Sequence, residues 1–353
     1  MVERRNIVKM WKAGNALALA TLVNVEGSSY RGAGARILIG ADGSHVGSVS
    51  GGCLEAEIVR KARWLTRGGA TVERYSTLFD DTSDIPYGLG CGGTVDVLLE
   101  PAGTAEFEAV MHALEASLSG QTRHIATTLP SDGHGLAREV TDDNDRLVFR
   151  TKESVESGSS FQEQLFPPQR LFLCGAGDDA QPLVRMAALL GWSVYVFDGR
   201  VQLARAERFP EAETVLPAQR FGTLCPSGND AVILMTHSYE QDRNWLIGVL
   251  PTEPRYLGML GSRHRSALLV ADAARTLGWP LERACERLFT PVGLDLGGDG
   301  AEAIALSAVA EIQACTQGKL PHSRRMSAAM VTEQIAQGDP LAEAQYVQAQ
   351  CAL

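Results

Sequence analysis

Hydrophobic and polar positions in the first half of the chain mix helix-like and strand-like patterns. Apolar residues at helical spacing predict an amphipathic helix over residues 2–14 and another over 54–66, which a Gly-Gly pair ends. Further patterns predict a helix over 107–118 and strands over 16–25, 35–39, 71–79, 94–99, 125–128, 146–149 and 161–166. Because strands and helices do not alternate regularly, we expect an α+β region.

The second half has a different rhythm, in which short apolar strands alternate with helices. Strands are predicted over 171–174, 193–197, 231–235 and 256–260, and helices follow the first, third and fourth of them, with a last helix over 301–316. This alternation predicts a Rossmann-like, doubly wound parallel sheet, so the fold class is α/β. We expect domains over 1–166, with a polar linker at 151–160, and over 167–320, followed by a tail over 321–353.

Composition and charge narrow the possible partners. Among 353 residues, 32 Lys and Arg face 42 Asp and Glu, which gives a net charge of −10. Nucleic acids and anionic membranes bind positive surfaces, so we expect neither as a partner. The apolar run at 16–23 is too short to span a bilayer, and the N-terminus lacks the apolar core of a signal peptide. We therefore expect a cytoplasmic protein.

Cysteine usage agrees with a reducing compartment. The chain has seven cysteines without paired spacing, so neither a disulfide framework nor a zinc site is predicted. Most of these thiols are expected to be small buried side chains.

One glycine motif lies between a predicted strand and helix of the second half. Gly175-x-Gly177-x-x-Ala180 has the dinucleotide-binding spacing, and Asp198 closes the next strand about 20 residues later, where a ribose-binding acid is expected. The alternative is a loop that is tight for packing alone. Asp178 and Asp179 place negative charge where a diphosphate would lie. His237 follows another strand and is either a general acid or base or a structural residue.

Three segments of the first half are rich in glycine: 27–36, 47–55 and 88–93. Glycine lets a ligand or another chain segment come close to the backbone, so we expect such an approach here. Ser50, Gly51 and Gly52 open a helix, as an anion cradle does, and Arg31 can add a positive charge. Tight turns without a ligand are the alternative.

Two thiols and a carboxylate accompany these segments. Cys53 lies at a predicted helix start, where the dipole lowers a thiol pKa, and Cys91 lies between Gly90 and Gly92. Either thiolate can ligate a soft metal or handle sulfur, although a small buried cysteine explains both equally simply. Glu55 is either a site carboxylate or an acid at the helix N-terminus.

Several segments together resemble the XdhC/CoxI family of accessory factors for xanthine dehydrogenase and related molybdenum hydroxylases. They run in order from about residue 5 to 315: Gly-Ser-Ser-Tyr-Arg at 27–31, Gly-Ser-Val-Ser-Gly-Gly-Cys-Leu-Glu at 47–55, Gly-Cys-Gly-Gly at 90–93, Gly-Ala-Gly at 175–177, Met-Thr-His at 235–237, Gly-Met-Leu-Gly-Ser-Arg at 258–263 and Pro-Val-Gly-Leu-Asp at 291–295. The resemblance implies a CoxI-like domain followed by a Rossmann domain. This chain has Asp178 where members often have His, and Tyr30 where they often have Pro.

The resemblance implies a chaperone rather than a turnover enzyme. It would bind molybdenum cofactor, either molybdopterin or its dinucleotide form, support its sulfuration and deliver it to an apo molybdenum hydroxylase. A cysteine desulfurase would be a further partner. Cys53 and Cys91 become candidate contacts to molybdenum. The candidate cofactor contacts are Arg31, Ser50, Gly51, Gly52, Cys53, Glu55, Gly90, Cys91, Gly92, Gly175, Gly177 and Asp198.

Two other functions stay open at this point. One is an NAD(P)-dependent oxidoreductase that uses Gly175, Gly177 and Asp198 for the cofactor and His237 as proton donor. The other is a regulatory protein that senses a nucleotide without chemistry. For any of these, a homodimer is the expected assembly.

Overall fold

The computed structural model describes residues 1–52, 54–76, 93–131, 135–151, 159–223, 226–320 and 326–336. The chain divides into two compact units, Met1–Pro168 and Gln169–Leu353. Each unit has its own hydrophobic core. In the described residues, no helix has the length and apolar character needed to cross a membrane.

The described part of the first unit contains two antiparallel sheets and three helices. The larger sheet has the order β3-β2-β1-β5-β4 and consists of β1 (Ala16–Glu26), β2 (Arg36–Gly40), β3 (His45–Gly47), β4 (Thr71–Ser76) and β5 (Thr94–Pro101). The smaller sheet has the order β8-β7-β6-β9 and consists of β6 (Arg123–Thr128), β7 (Ala137–Thr141), β8 (Leu147–Arg150) and β9 (Ser160–Leu165). The helices are α1 (Val2–Lys12), α2 (Glu55–Leu65) and α3 (Ala105–Leu118).

Both faces of the larger sheet are buried, and β1 shows how. Ala20 and Leu22 point to the face that α2 covers through Ile58. Leu19 points to the other face, which α1, α3 and the smaller sheet cover. This arrangement confirms the α+β architecture expected for the first region. It also places the loop before α2 on the α2 side of the sheet.

Strand β7 was not predicted, because a buried ion pair interrupts its apolar pattern. Arg138 on β7 is 4% exposed and donates to the carboxylate of Glu100, which is 0% exposed, over 2.6 Å. Its side chain also donates to Thr127 and to the carbonyl of Glu106. These partners satisfy a charge that would otherwise be too costly to bury.

The second unit is a six-stranded parallel sheet over the described residues, in the order β12-β11-β10-β13-β14-β15. Its strands are β10 (Arg170–Cys174), β11 (Ser193–Asp198), β12 (Thr214–Pro217), β13 (Ala231–Leu234), β14 (Tyr256–Met259) and β15 (Leu288–Phe289). Its helices are α4 (Ala180–Leu189), α5 (Tyr239–Val249), α6 (Arg263–Leu277), α7 (Leu281–Glu286), α8 (Ala301–Thr316) and α9 (Ala328–Ala336). Helices α4 and α8 cover one face, and α5, α6, α7 and α9 cover the other, which confirms the doubly wound fold.

The elements that the sequence did not predict here are short: β12, α7, β15 and α9. Helix α9 falls in the segment assigned as a tail, yet Val331 is 0% exposed and packs in the core with Met326. A hydrophobic period needs more than two turns to stand out, so tertiary packing decides such elements.

The parallel register brings the ends of four strands to one edge of the second sheet. Cys174 pairs with Phe197 and with Leu234, and Leu234 pairs with Met259. The residues that follow these strands therefore share the carboxyl edge, where ligands bind in open α/β sheets.

Candidate functional site

The carboxylate of Glu55 organises the glycine-rich loop before α2. It accepts hydrogen bonds from the Ser48 and Ser50 hydroxyls and from the amides of Val49, Ser50 and Gly52, the amide distances being 2.8 to 2.9 Å. Burial opposes ionisation, but the hydrogen bonds from Ser50 and Ser48 outweigh it and lower the pKa of Glu55 to about 2. Of the amides that were predicted to cradle an external anion, those of Ser50 and Gly52 donate to this carboxylate, and that of Gly51 donates to the Ser48 hydroxyl.

Described residues of the three glycine-rich segments, namely Tyr30, Gly51 and Gly93, lie at one end of the larger sheet. A Cβ atom built on Gly51 would lie 2.7 Å from Cδ1 of Tyr30, so the loop before α2 lies against the ring of the first segment. A Cβ atom on Gly93 would lie 2.8 Å from the carbonyl oxygen of Glu26 and would also collide with that of Ser28. A side chain at Gly93 would collide with backbone, and one at Gly51 would displace the Tyr30 ring.

The outer side of the loop is open. Gly51 and Gly52 are exposed and have φ of 84° and 117°, and a Cβ on Gly52 would meet nothing within 4 Å. The Tyr30 ring beside them is 73% exposed. The guanidinium of Arg31 forms an ion pair with Glu3 on α1, so its charge has a partner within the chain. A flat ligand can thus approach bare backbone and an aromatic ring together.

Several predicted contacts lie outside the described residues, namely Cys53, Gly90, Cys91 and Gly92. Their roles stay predictions. Of the other thiols, Cys174 and Cys285 are buried and Cys315 is half-buried. Burial raises the pKa of Cys174 well above its usual value, so this thiol stays protonated and unreactive.

Three buried polar atoms lack a hydrogen-bond partner in the described part of the chain: Thr21 Oγ1, Arg36 Nε and the Tyr75 hydroxyl. All three belong to strands of the larger sheet. Arg36 is held in other ways, because its guanidinium forms an ion pair with Glu163 and donates to the carbonyl of Gly34. The two hydroxyls have no such compensation.

In the second unit, Gly175 and Gly177 form the predicted turn between β10 and α4. Gly175 has φ of 128°, and a Cβ there would lie 2.6 Å from the carbonyl carbon of Met235, just past β13. A Cβ on Gly177 would lie 2.5 Å from Oδ1 of Asp179. Contacts within the chain therefore account for glycine at position 175.

The predicted ribose acceptor, Asp198, is 1% exposed and already bonded on both oxygens. Oδ2 accepts from the amide of Ala176 over 2.7 Å, and the guanidinium of Arg200 donates to both oxygens over 2.8 and 3.0 Å. Burial works against its charge, but the hydrogen bonds from Arg200 and Ala176 together outweigh burial and lower the pKa of Asp198. Asp198 thus ties the glycine turn to the loop after β11.

The two acidic residues after Gly177 also pair within the chain. Asp178 lies 2.6 Å from Nη2 of Arg208, whose other nitrogen donates to the carbonyl of Ala176. Asp179 Oδ2 lies 2.8 Å from Nε2 of His237, which has a left-handed backbone with φ of 61°. The carboxyl edge therefore brings Gly177, Asp179 and His237 together, and both acidic side chains after Gly177 have partners within the chain.

A buried acid at this edge was missed from the sequence. Asp242, on α5, is 0% exposed and accepts from the amide and the hydroxyl of Thr236 and from Nη2 of Arg265. This network ties the loop after β13 to the first turn of α6. A buried Asp followed by a distant Arg has no spacing signature, so only the fold shows the pair.

The described residues offer no ready metal site, and a cavity among them lies away from the candidate positions. Among them, no group of three or more His, Cys, Asp and Glu side chains can hold a metal ion. A cavity of about 660 Å³ lies in the first unit, lined by Gly69, Thr71, Pro101, Thr104, Glu106 and Leu136 among others, with none of the described candidate residues in its wall. The candidate surface around Gly51 is therefore an open one.

Two family models match this chain. One, described as the XdhC Rossmann domain, matches residues 171–312 within the second unit. The other, described as the XdhC and CoxI family, matches residues 10–76 within the first unit. The second match includes the loop that Glu55 organises.

Two relatives are similar to this chain over most of its length. A protein of Bacillus subtilis (strain 168), named as a probable xanthine dehydrogenase subunit, is 30% identical over 311 residues, which are 83% of this chain and 91% of that protein. The molybdenum cofactor insertion chaperone PaoD of Escherichia coli (strain K12) is 28% identical, over 87% of this chain and 86% of its own length.

A solved structure shares the architecture. A crystal structure named as a xanthine dehydrogenase from Bacillus halodurans superposes with a TM-score of 0.77 at 28% identity, covering 90% of this chain and 96% of that one. Together with the Bacillus subtilis relative, of which this chain covers 91%, and both family models, it shows that the chain belongs to the XdhC and CoxI family.

Proposed function

We propose that this chain carries molybdenum cofactor as cargo. It binds the cofactor, holds it while the terminal sulfido ligand is installed, and transfers it to an apo molybdenum hydroxylase of the xanthine dehydrogenase type. The observation that carries the proposal is the meeting of the glycine-rich segments at Gly51, Tyr30 and Gly93. The name of the PaoD relative supports the choice of cargo. A cysteine desulfurase and the hydroxylase are the proposed partners.

The exposed surface around the loop fits a flat, polar pterin. Gly51 and Gly52 present bare backbone, and the exposed Tyr30 ring offers a face for stacking. Cys53 follows Gly52 directly in the sequence, and we propose it, with Cys91, as a contact to the molybdenum or its sulfur. Glu55 holds the loop in shape and does not itself bind the cargo.

For the Rossmann unit, we propose that Asp198 braces the glycine turn and does not bind a ribose. Its oxygens accept hydrogen bonds from Ala176 and Arg200. A ribose diol would have to displace those donors, at the cost of leaving them unpaired. This arrangement argues against an NAD(P)-dependent oxidoreductase.

The proposal is tested on protein purified without oxygen from a host that makes molybdenum cofactor. We expect near-stoichiometric molybdenum, a fluorescent pterin after oxidation, and activation of an apo-hydroxylase when the loaded protein is added. Empty protein that also takes up no added cofactor contradicts the proposal. If NADH then raises the melting temperature, the oxidoreductase alternative gains support, since a ligand that binds the native state stabilises it. Light scattering on the same sample tests the expected homodimer.

A further inference from the structure

The hydroxyl of Tyr75 is buried without a partner. Tyr75 is 5% exposed, and its oxygen makes no hydrogen bond within the described part of the chain. A buried hydroxyl without a partner destabilises a protein, because it loses its hydrogen bonds to water and gains none in return. Phenylalanine would fill the same space without that cost. The hydroxyl therefore calls for a partner, and a bound ligand can supply one.

Tyr75 belongs to the apolar cluster on the side of the sheet that carries the glycine loop. It is the last residue but one of β4 and pairs with Val95 on β5, near the end of the sheet where Gly93 meets Ser28. Its ring belongs to the same apolar cluster as Val49 and Leu54, which flank the loop before α2. The site formed by the glycine segments and this hydroxyl thus share one end of one sheet.

The chemistry of the hydroxyl is fixed by its surroundings. Burial, followed by the nearby carboxylates of Glu73 and Glu57, raises the pKa of Tyr75 to about 12. The group is therefore a neutral donor throughout the physiological range.

We propose that the Tyr75 hydroxyl donates a hydrogen bond to an acceptor atom of the pterin cargo, which makes Tyr75 a binding residue of the site. The inference rests on the proposed function. It assigns a buried polar contact to a site whose other candidate contacts are backbone, thiols and an exposed ring. It also explains why a costly group is kept in an otherwise apolar cluster.

Thr21 provides a matched control. Its hydroxyl is the other unpartnered one in the described residues, at 2% exposure, and it lies on β1 between Ala20 and Leu22. Because those neighbours face α2, the Thr21 side chain points to the opposite face of the same sheet, away from the loop. Removing either hydroxyl relieves a similar cost, but only Tyr75 is placed to contact the cargo.

The experiment compares wild type, Tyr75→Phe and Thr21→Val, each loaded with molybdopterin in a cofactor-making host. Molybdenum and oxidised-pterin fluorescence per protein, and the melting temperature of the empty forms, are measured. We expect Tyr75→Phe to bind molybdopterin about tenfold more weakly, as the loss of one hydrogen bond predicts. Neither variant should melt below wild type, and Thr21→Val should retain wild-type cargo.

The outcomes separate the two proposals. If wild type carries pterin and Tyr75→Phe carries as much with the same affinity, the Tyr75 contact is wrong. The carrier function then still holds. Wild type that neither carries nor takes up pterin overturns both. As a second measurement, 3-fluorotyrosine at position 75 must shift its ¹⁹F resonance when molybdopterin binds, and an unchanged resonance also rejects the contact.

Discussion

The carboxylate of Glu55 accepts hydrogen bonds from both the amide and the hydroxyl of Ser50. Because Glu55 is the first residue of α2, this double contact folds the preceding loop back onto the start of its own helix. The loop is thereby shaped without a ligand. Its exposed glycines, Gly51 and Gly52, are turned towards solvent as a result.

Replacing Glu55 by Gln should lower the free energy of unfolding by about 2–3 kcal/mol. The amide side chain keeps one acceptor oxygen and turns an NH₂ group towards loop donors. Glu57→Gln is the control on the same turn, since Glu57 pairs with Lys61 near the surface, and it should cost less than about 0.5 kcal/mol. Urea denaturation of both variants checks this, and equal losses would contradict the role of Glu55.

The same carboxylate should make stability depend on pH. Glu55 has a pKa of about 2 in the folded chain against a usual 4.5. The unfolded chain therefore binds the proton first, so this contribution is complete above about pH 4.5 and is lost as pH falls towards 2. The difference between wild type and Glu55→Gln, on the order of 3 kcal/mol at neutral pH, should shrink over that range. A difference that is constant down to pH 2.5 would disprove this linkage.

Gly51→Ala should lower the amount of bound pterin, and Gly43→Ala should not. Both glycines have φ of 84°, so each substitution costs about 1–2 kcal/mol of backbone strain. Only at Gly51 does the added methyl displace an aromatic ring, that of Tyr30, because a Cβ on Gly43 meets nothing within 4 Å. We expect several-fold less pterin in Gly51→Ala alone. Equal pterin retention at matched stability would remove Gly51 from the site.

Asp198→Asn should destabilise the second unit without changing any response to NADH. The variant loses the charge that holds Arg200 and weakens the bond to Ala176, at an expected cost of about 2–3 kcal/mol. Asp178→Asn serves as control, since Asp178 is 94% exposed and its pairing with Arg208 should matter little. The melting temperatures of wild type and both variants, measured with and without NADH, test this prediction. An NADH-induced shift in wild type that Asp198→Asn abolishes would restore the ribose role.

Cys53→Ser and Cys91→Ser should lower bound molybdenum if these thiols contact the metal or its sulfur. A serine oxygen is a poorer ligand for a soft centre than a thiolate. Cys315→Ser, in the second unit, controls for a general loss of thiols. Molybdenum per protein is the measurement. Unchanged values in both single variants and the double variant would exclude the two cysteines.

The sequence predicted those helices and strands in which a hydrophobic pattern repeats over several residues. The strand ending at Cys174 and the helix after Gly177 stand out because a buried parallel strand and an amphipathic helix each leave a local pattern. Strand β7 left none, since its Arg138 is buried by a distant partner, Glu100. Short edge strands such as β12 were not predicted, because a few residues do not form a recognisable hydrophobic pattern.

The candidate site was predictable only in part. Glycine runs pointed to close backbone approach, and the contact of Gly51 with Tyr30 is of that kind. The sequence left two roles open for Glu55, because whether an acid at a helix start faces a ligand or its own loop depends on side-chain geometry. Tyr75 gave no signal at all, since an orphaned hydroxyl is visible only once its neighbours are in place.

For the proposed carrier function, the hydrogen bonds from the loop amides to Glu55 have a consequence for the release of the cofactor. Because the amides of Val49, Ser50 and Gly52 already donate to a carboxylate of the chain, the loop needs no ligand to hold its shape. It also withholds its strongest donors from the passenger, which limits how tightly the passenger is held. Weak binding of this kind suits the proposed carrier, which would hold the cofactor briefly and transfer it to the more enclosed site of an apo-hydroxylase.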